Sequence, residues 1–242
     1  QWIMVKNPLD LYIGIYKLYQ GRWLKMYKIL PNIGYIEKKL SKEDLNKLKS
    51  YIKNKGKKVN HTLAGNINSS YDIKDKNNSF YNNTLVPTIV EYIKLLNKSA
   101  SQAIPETLTK NCSFVLSSFW VNFQKKHEFN PIHNHSGVFS FVIWINIPVD
   151  FKKESKLPFV NHSNSPLTNC FQFSYTNVLG QVITYTYKLN SSYEGTMLLF
   201  PSKLNHVVYP FYSSNKNRIS ISGNIYLDPE KIIKEKNVIS KK

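Results

Sequence analysis

The chain has 242 residues, 42% hydrophobic and 14% aromatic, and a formal charge of +18 from 33 basic and 15 acidic residues. This composition excludes a disordered chain and leans toward β structure, and no apolar run reaches the roughly eighteen residues that span a bilayer. The charge gives only weak support to a nucleic-acid partner: the lysines are spread through both halves, only Arg22 and Arg218 are arginine, and abundant Lys, Asn, Ile and Tyr follow from A/T-rich codons.

The length suits a single globular domain. Residues 1–25 lack clear periodicity and read as an N-terminal extension ahead of a natural start at Met26, with one domain over 26–242. Within it, 26–111 is predicted to be helical support, 112–228 a β core and 229–242 a basic tail. Cys112 and Cys170 form no CxxC pair and no apolar signal region opens the chain, which predicts a reduced, cytoplasmic setting.

Ser41 is placed to cap a helix, Glu43 and Asp44 favour its first turn, Leu45, Leu48 and Ile52 share one face, and Gly56 ends the pattern. A second helix is predicted over 85–96, and the polar stretch 57–82 between them reads as loop. From residue 113 onward the runs SFVLSSFWVNFQ, VFSFVIWINIP, FQFSY, QVITYTYKL, GTMLLF, HVVYPFY and RISISGNIYL are short, rich in β-branched and aromatic residues, and separated by turn formers. They predict an antiparallel sandwich or barrel, for which a jelly roll is one of the few closures. VLGQ, residues 178–181, reads as a hairpin turn.

NPIHNHSG places His133 and His135 two residues apart, so in an extended segment both side chains emerge on one face. An isolated HxH is more often a pair of solvated loop histidines than a metal site. A third histidine, His206, opens a later strand, and Arg218, Ser220 and Ser222 then alternate with Ile219 and Ile221. That strand has one apolar face and one carrying a guanidinium and two hydroxyls. In a lysine-rich chain the only arginine outside residues 1–25 suits a carboxylate held by two parallel hydrogen bonds, and no acid lies within RISIS. Asn122, Tyr185 and Tyr187 are candidate lining residues.

HNHSGVFSFVIWINIP, EGTMLLFPSKLNHVVYPFY and NRISISGNI together resemble the 2-oxoglutarate and Fe(II)-dependent oxygenases, particularly members found in marine phages and bacteria. The resemblance covers roughly residues 28–228 and implies a double-stranded β-helix, a jelly roll with supporting helices. It implies Fe(II) on His133, His135 and His206, and 2-oxoglutarate held at its far carboxylate by Arg218 and Ser220. O2 would convert the cosubstrate to succinate and CO2 while an unknown substrate is hydroxylated, in the host cytoplasm if the protein is viral. His135 departs from the family pattern, which has a carboxylate there, and Glu128 and Asp150 lie outside the HxH segment. Three histidines also suit zinc. Two other readings stand beside this one: a three-histidine enzyme of cupin type that does not use 2-oxoglutarate, and a non-catalytic viral β-sandwich.

Overall fold

A computed structural model describes residues 34–96 and 112–228; the extension expected over 1–25 and the tail 229–242 lie outside them. Helix α1, Lys42–Lys53, starts where Ser41 Oγ accepts the Asp44 amide at 3.0 Å, and it buries Leu48 and Tyr51. Helix α2, Val86–Leu96, adds Ile89 and Tyr92 to the same core. Both expected helices are therefore present.

Ten strands follow the chain: β1 Ile36–Lys39, β2 Ser70–Asp72, β3 Ser113–Gln124, β4 Asn130–His133, β5 Phe139–Asn146, β6 Cys170–Thr176, β7 Val182–Lys188, β8 Thr196–Pro201, β9 Asn205–Val208 and β10 Arg218–Asp228. They build a six-stranded sheet in the order β1-β8-β5-β10-β3-β2 and a four-stranded sheet in the order β4-β9-β6-β7, with every pairing antiparallel. From β3 onward successive strands alternate between the sheets except at the β6–β7 hairpin, which is the connectivity of a double-stranded β-helix. The fold is the predicted jelly roll. VLGQ sits in the β6–β7 connection, where Gly180 has a φ of +79° and the Asn177 amide bonds Gln181 O at 2.9 Å.

Period-two patterning explains the layers. Ile219 and Ile221 of β10 join Phe139, Phe141 and Ile143 of β5 against the helices. Val142 and Trp144 of β5, with Leu198 and Phe200 of β8, face Phe171, Phe173 and Tyr187 across the two sheets. β5 is covered on both sides, so its sequence is almost continuously apolar.

Three local expectations need correction. The polar stretch 57–82 is not all loop, because Ser70–Asp72 pairs with β3 and short helical turns flank it. Asn130–His133, outside the strand runs read from the sequence, forms β4. In HVVYPFY only the first residues are strand: β9 ends at Val208, two residues before Pro210, which has no N–H to give a ladder. Among the described residues no helix is long and apolar enough to cross a membrane.

Candidate metal centre

The cross-strand pairing of β4 with β9 sets His133 directly opposite His206. Their ring centroids are 4.2 Å apart, and His135 lies 5.0 Å from each. One ring nitrogen from each of the three falls within 4.8 Å of the others. The residues expected to meet are therefore brought together. The route differs from a simple strand repeat, since β4 ends at His133 and His135 lies in the turn leading to β5.

That turn is held by the β8–β9 connection. The His135 amide donates to Ser202 O at 2.8 Å, and the Ser202 amide donates to Val138 O at 2.9 Å. Ser202 Oγ lies 3.0 Å from Ser140 Oγ, which donates to Asn224 Oδ1 at 2.8 Å. Gly137 makes the turn possible: its φ is +97°, and a Cβ there would stand 2.7 Å from Ile225 O.

Two imidazoles are oriented alike. His133 Nδ1 lies 2.7 Å from Pro131 O and His206 Nδ1 lies 2.9 Å from Leu204 O, each a carbonyl two residues upstream. A carbonyl only accepts, so both rings carry the proton on Nδ1 and present a bare Nε2. Phe171, Phe200 and Phe173 surround His206. Burial, reinforced by the neighbouring His133, pushes His206 down to about 3 and His135 down to about 4, and burial also lowers His133. The cluster is neutral near pH 7, the state in which imidazole binds a metal.

The same burial has a consequence for the metal-free protein. Each ring stays unprotonated when folded and takes up a proton near 6.5 when unfolded, so stability is full above that value and declines as pH falls toward about 4. Urea unfolding is expected to show a lower midpoint at about pH 5 than at about pH 7. A flat midpoint would contradict neutral burial.

A cavity of about 50 Å³ adjoins the three rings and is lined by Asn122, Gln124, Ser220 and Ser222 among others. Outside it runs a groove of about 810 Å³ bordered by Asp72, Lys74, Asn134 and Ser118. His133, His135, Trp120, Leu63 and Ala64 line both spaces and separate them. Trp120 meets the His135 ring edge to face at 5.9 Å.

Asn122 lines the cavity as expected, but Tyr185 and Tyr187 do not. Tyr187 is buried in the inter-sheet core with its hydroxyl 2.7 Å from Glu37 Oε2 and 2.8 Å from the Tyr35 hydroxyl, while Tyr185 is half exposed. Glu128 caps backbone amides at Asn68 and Lys125, and Asp150 caps the short helix α3, Phe151–Glu154, so neither joins the histidines.

Arg218 is fully buried and lies outside the cavity lining. Its Nε and Nη2 donate to Gln124 Oε1 at 3.0 and 2.7 Å, Nη1 to Asn169 Oδ1 at 3.0 Å and Nη2 to Tyr209 O at 2.7 Å. Burial lowers its pKa to about 10, opposed by Cys170 and Glu154, and it remains a cation at neutral pH. Glu154 was not legible as a partner from the sequence because it belongs to α3, far from the strand that carries Arg218.

Residues 118–224 match a family model described as "Putative 2OG-Fe(II) oxygenase". This segment, a little under half of the chain, is similar to the 2OG-Fe(II) oxygenases. All three clustered histidines, Ser220 and Arg218 fall inside the matched segment. The family implies Fe(II) and 2-oxoglutarate. The donor set fits such an ion, because imidazole binds iron as well as zinc and no step of deprotonation is needed near pH 7.

Solved structures similar to the chain include a Pseudomonas putida prolyl-4-hydroxylase, at 11% identity and a TM-score of 0.44, covering 81% of this chain and 93% of that one. A Burkholderia pseudomallei oxidoreductase of the 2OG-Fe(II) oxygenase family matches at 10% identity and a TM-score of 0.42, covering 93% of each chain. A Trichoplax adhaerens prolyl hydroxylase, solved with a hypoxia-inducible-factor peptide fragment, matches at 12% identity and a TM-score of 0.43, covering 94% of this chain and 96% of that one. No curated protein sequence matches the chain.

Proposed function

We propose that the protein is a 2OG-Fe(II) oxygenase that hydroxylates a substrate at a metal held by His133, His135 and His206, with 2-oxoglutarate anchored by Arg218 and Ser220. The observation that carries this reading is the convergence of three neutral imidazoles, on distant parts of the chain, beside the polar face of β10. Fe(II) and 2-oxoglutarate, once bound with O2, supply an oxidant able to break a C–H bond, and the cosubstrate leaves as succinate and CO2.

The chain's own residues do the positioning. Nε2 of His133 and of His206 is preset by the backbone bonds at Nδ1, so little ring freedom is lost on binding. The Ser220 hydroxyl faces the cavity and is free to donate to a carboxylate there. Arg218 adds a buried positive charge on the same strand face, and four hydrogen bonds to the protein keep its plane fixed. Trp120 and Leu63 stand between the cavity and the outer groove, where they limit entry of water beside a docked substrate. A protein side chain, a small metabolite and a nucleobase all remain compatible with the groove. The two free thiols, Cys112 and Cys170, support a cytoplasmic setting.

A three-histidine enzyme of cupin type that does without 2-oxoglutarate is the second reading. It is favoured by one observation: Arg218 is occupied by Gln124, Asn169 and Tyr209 and does not reach the cavity surface.

Succinate formation from 2-oxoglutarate with added Fe(II) separates the two. The wild type is expected to release succinate, and His206→Ala to fall to background. Stoichiometric metal without any succinate would transfer support to the second reading.

A further inference from the structure

The three histidines are not equivalent, and the difference lies in how their rings are held. His133 and His206 face each other across the β4–β9 ladder, each with Nδ1 bonded to the carbonyl two residues before it. His135 lies past the end of β4. Its backbone is tied to Ser202, but among the described residues no hydrogen bond reaches its ring, whose neighbours are the other two imidazoles and the edge-on Trp120. It also lies farther from each partner than they lie from one another. His133 and His135 both border the outer groove as well as the inner cavity, whereas His206 borders the cavity alone, so what sets His135 apart is its unanchored ring.

We infer that His133 and His206 are the permanent metal ligands, and that His135 is an exchangeable one that gives way to a small carboxylate entering from the outer groove. The inference rests on the metal centre proposed above. Its physical basis is that an imidazole fixed through its second nitrogen binds a metal about 10 to 100 times more tightly than one left to rotate. A ring with no such bond loses that advantage and pivots about its side-chain torsions. Once it moves aside, the position it leaves faces the groove. The ion then holds one positive charge more than in the usual site with a protein carboxylate, so an anionic oxygen is the favoured replacement.

Co(II) serves as the probe, because its visible absorption reports coordination independently of turnover. In titrations of the full chain, His133→Ala and His206→Ala are expected to weaken Co(II) binding by about 100-fold or more, and His135→Ala by about tenfold or less. Acetate is expected to change the Co(II) spectrum of the wild type in the direction seen for His135→Ala. His135→Gln keeps a side chain of similar length, so the comparison does not depend on the alanine variant folding, and thermal unfolding of each variant checks this. Equal losses in all three positions, or a wild-type spectrum indifferent to acetate, would overturn the inference while leaving the metal centre in place. Wild-type affinity in all three alanine variants would overturn the inference and the metal centre together.

Discussion

Arg218→Ala is expected to lower the unfolding free energy by about 3 to 5 kcal/mol. The side chain is fully buried, and its removal leaves Gln124 Oε1, Asn169 Oδ1 and Tyr209 O without the donors they now have. A cavity between the sheets adds to that cost, and the Phe211 ring, 5.5 Å from the guanidinium, loses its cationic neighbour. Urea unfolding with an unchanged m-value would measure the effect. Arg218→Lys separates scaffold from clamp. Lysine keeps the charge but offers no planar fork, so it cannot serve Gln124, Asn169 and Tyr209 together. As a clamp for 2-oxoglutarate, the lysine variant requires at least about tenfold more cosubstrate for half-maximal succinate release, with the saturating rate largely kept. An unchanged cosubstrate requirement in a destabilised variant assigns Arg218 to the scaffold alone.

Glu154→Ala is expected to be similarly costly, at about 3 kcal/mol, for a different reason. This carboxylate is completely buried and accepts from the Tyr212 amide at 2.8 Å, the Ser213 amide at 2.9 Å and the Ser213 hydroxyl. It joins α3 to the chain between β9 and β10. Hydrogen bonds to an ionised acceptor are about twice as strong as neutral ones, so deleting it strands the Tyr212 and Ser213 donors, and one bond of the Thr168 hydroxyl, in a place water does not reach. Glu154→Gln retains one carbonyl oxygen and should recover part of the loss. Because Glu154 also offsets the Arg218 charge, removing both charges in Glu154→Gln with Arg218→Met should cost less than the sum of the single changes. Strict additivity in thermal or urea unfolding would show that the two sites do not interact.

The strands of the core were readable because each is flanked by turn formers and follows the apolar alternation of a sheet covered on one or both sides. β1, β2 and β4 were not, being only three or four residues long and polar on one face. The histidine cluster was legible as a set, since HxH, a later His and an Arg two residues before Ser keep their order along the chain. How His135 arrives was not. Its position depends on Ser202 and Gly137, and neither the pairing of that turn with β8 nor a positive φ is written in the residue spacing. The surroundings of Arg218 were hidden for the same reason: Gln124, Asn169 and Glu154 come from three separate parts of the fold. Tyr187 was misjudged as a lining residue because alternation on β7 identifies its face without telling whether that face meets a cavity or packed rings.

The pairing of β4 with β9 has a bearing on when the centre comes into being. His133 leaves the ribosome long before His206, and nothing local to either residue can bring them together; the strands between them must first find their places in both sheets. A nascent chain that stops short of β9 therefore carries an HxH pair with no opposing ring. In the proposed centre, capture of an ion by both facing rings would therefore have to wait until β9 is in place beside β4.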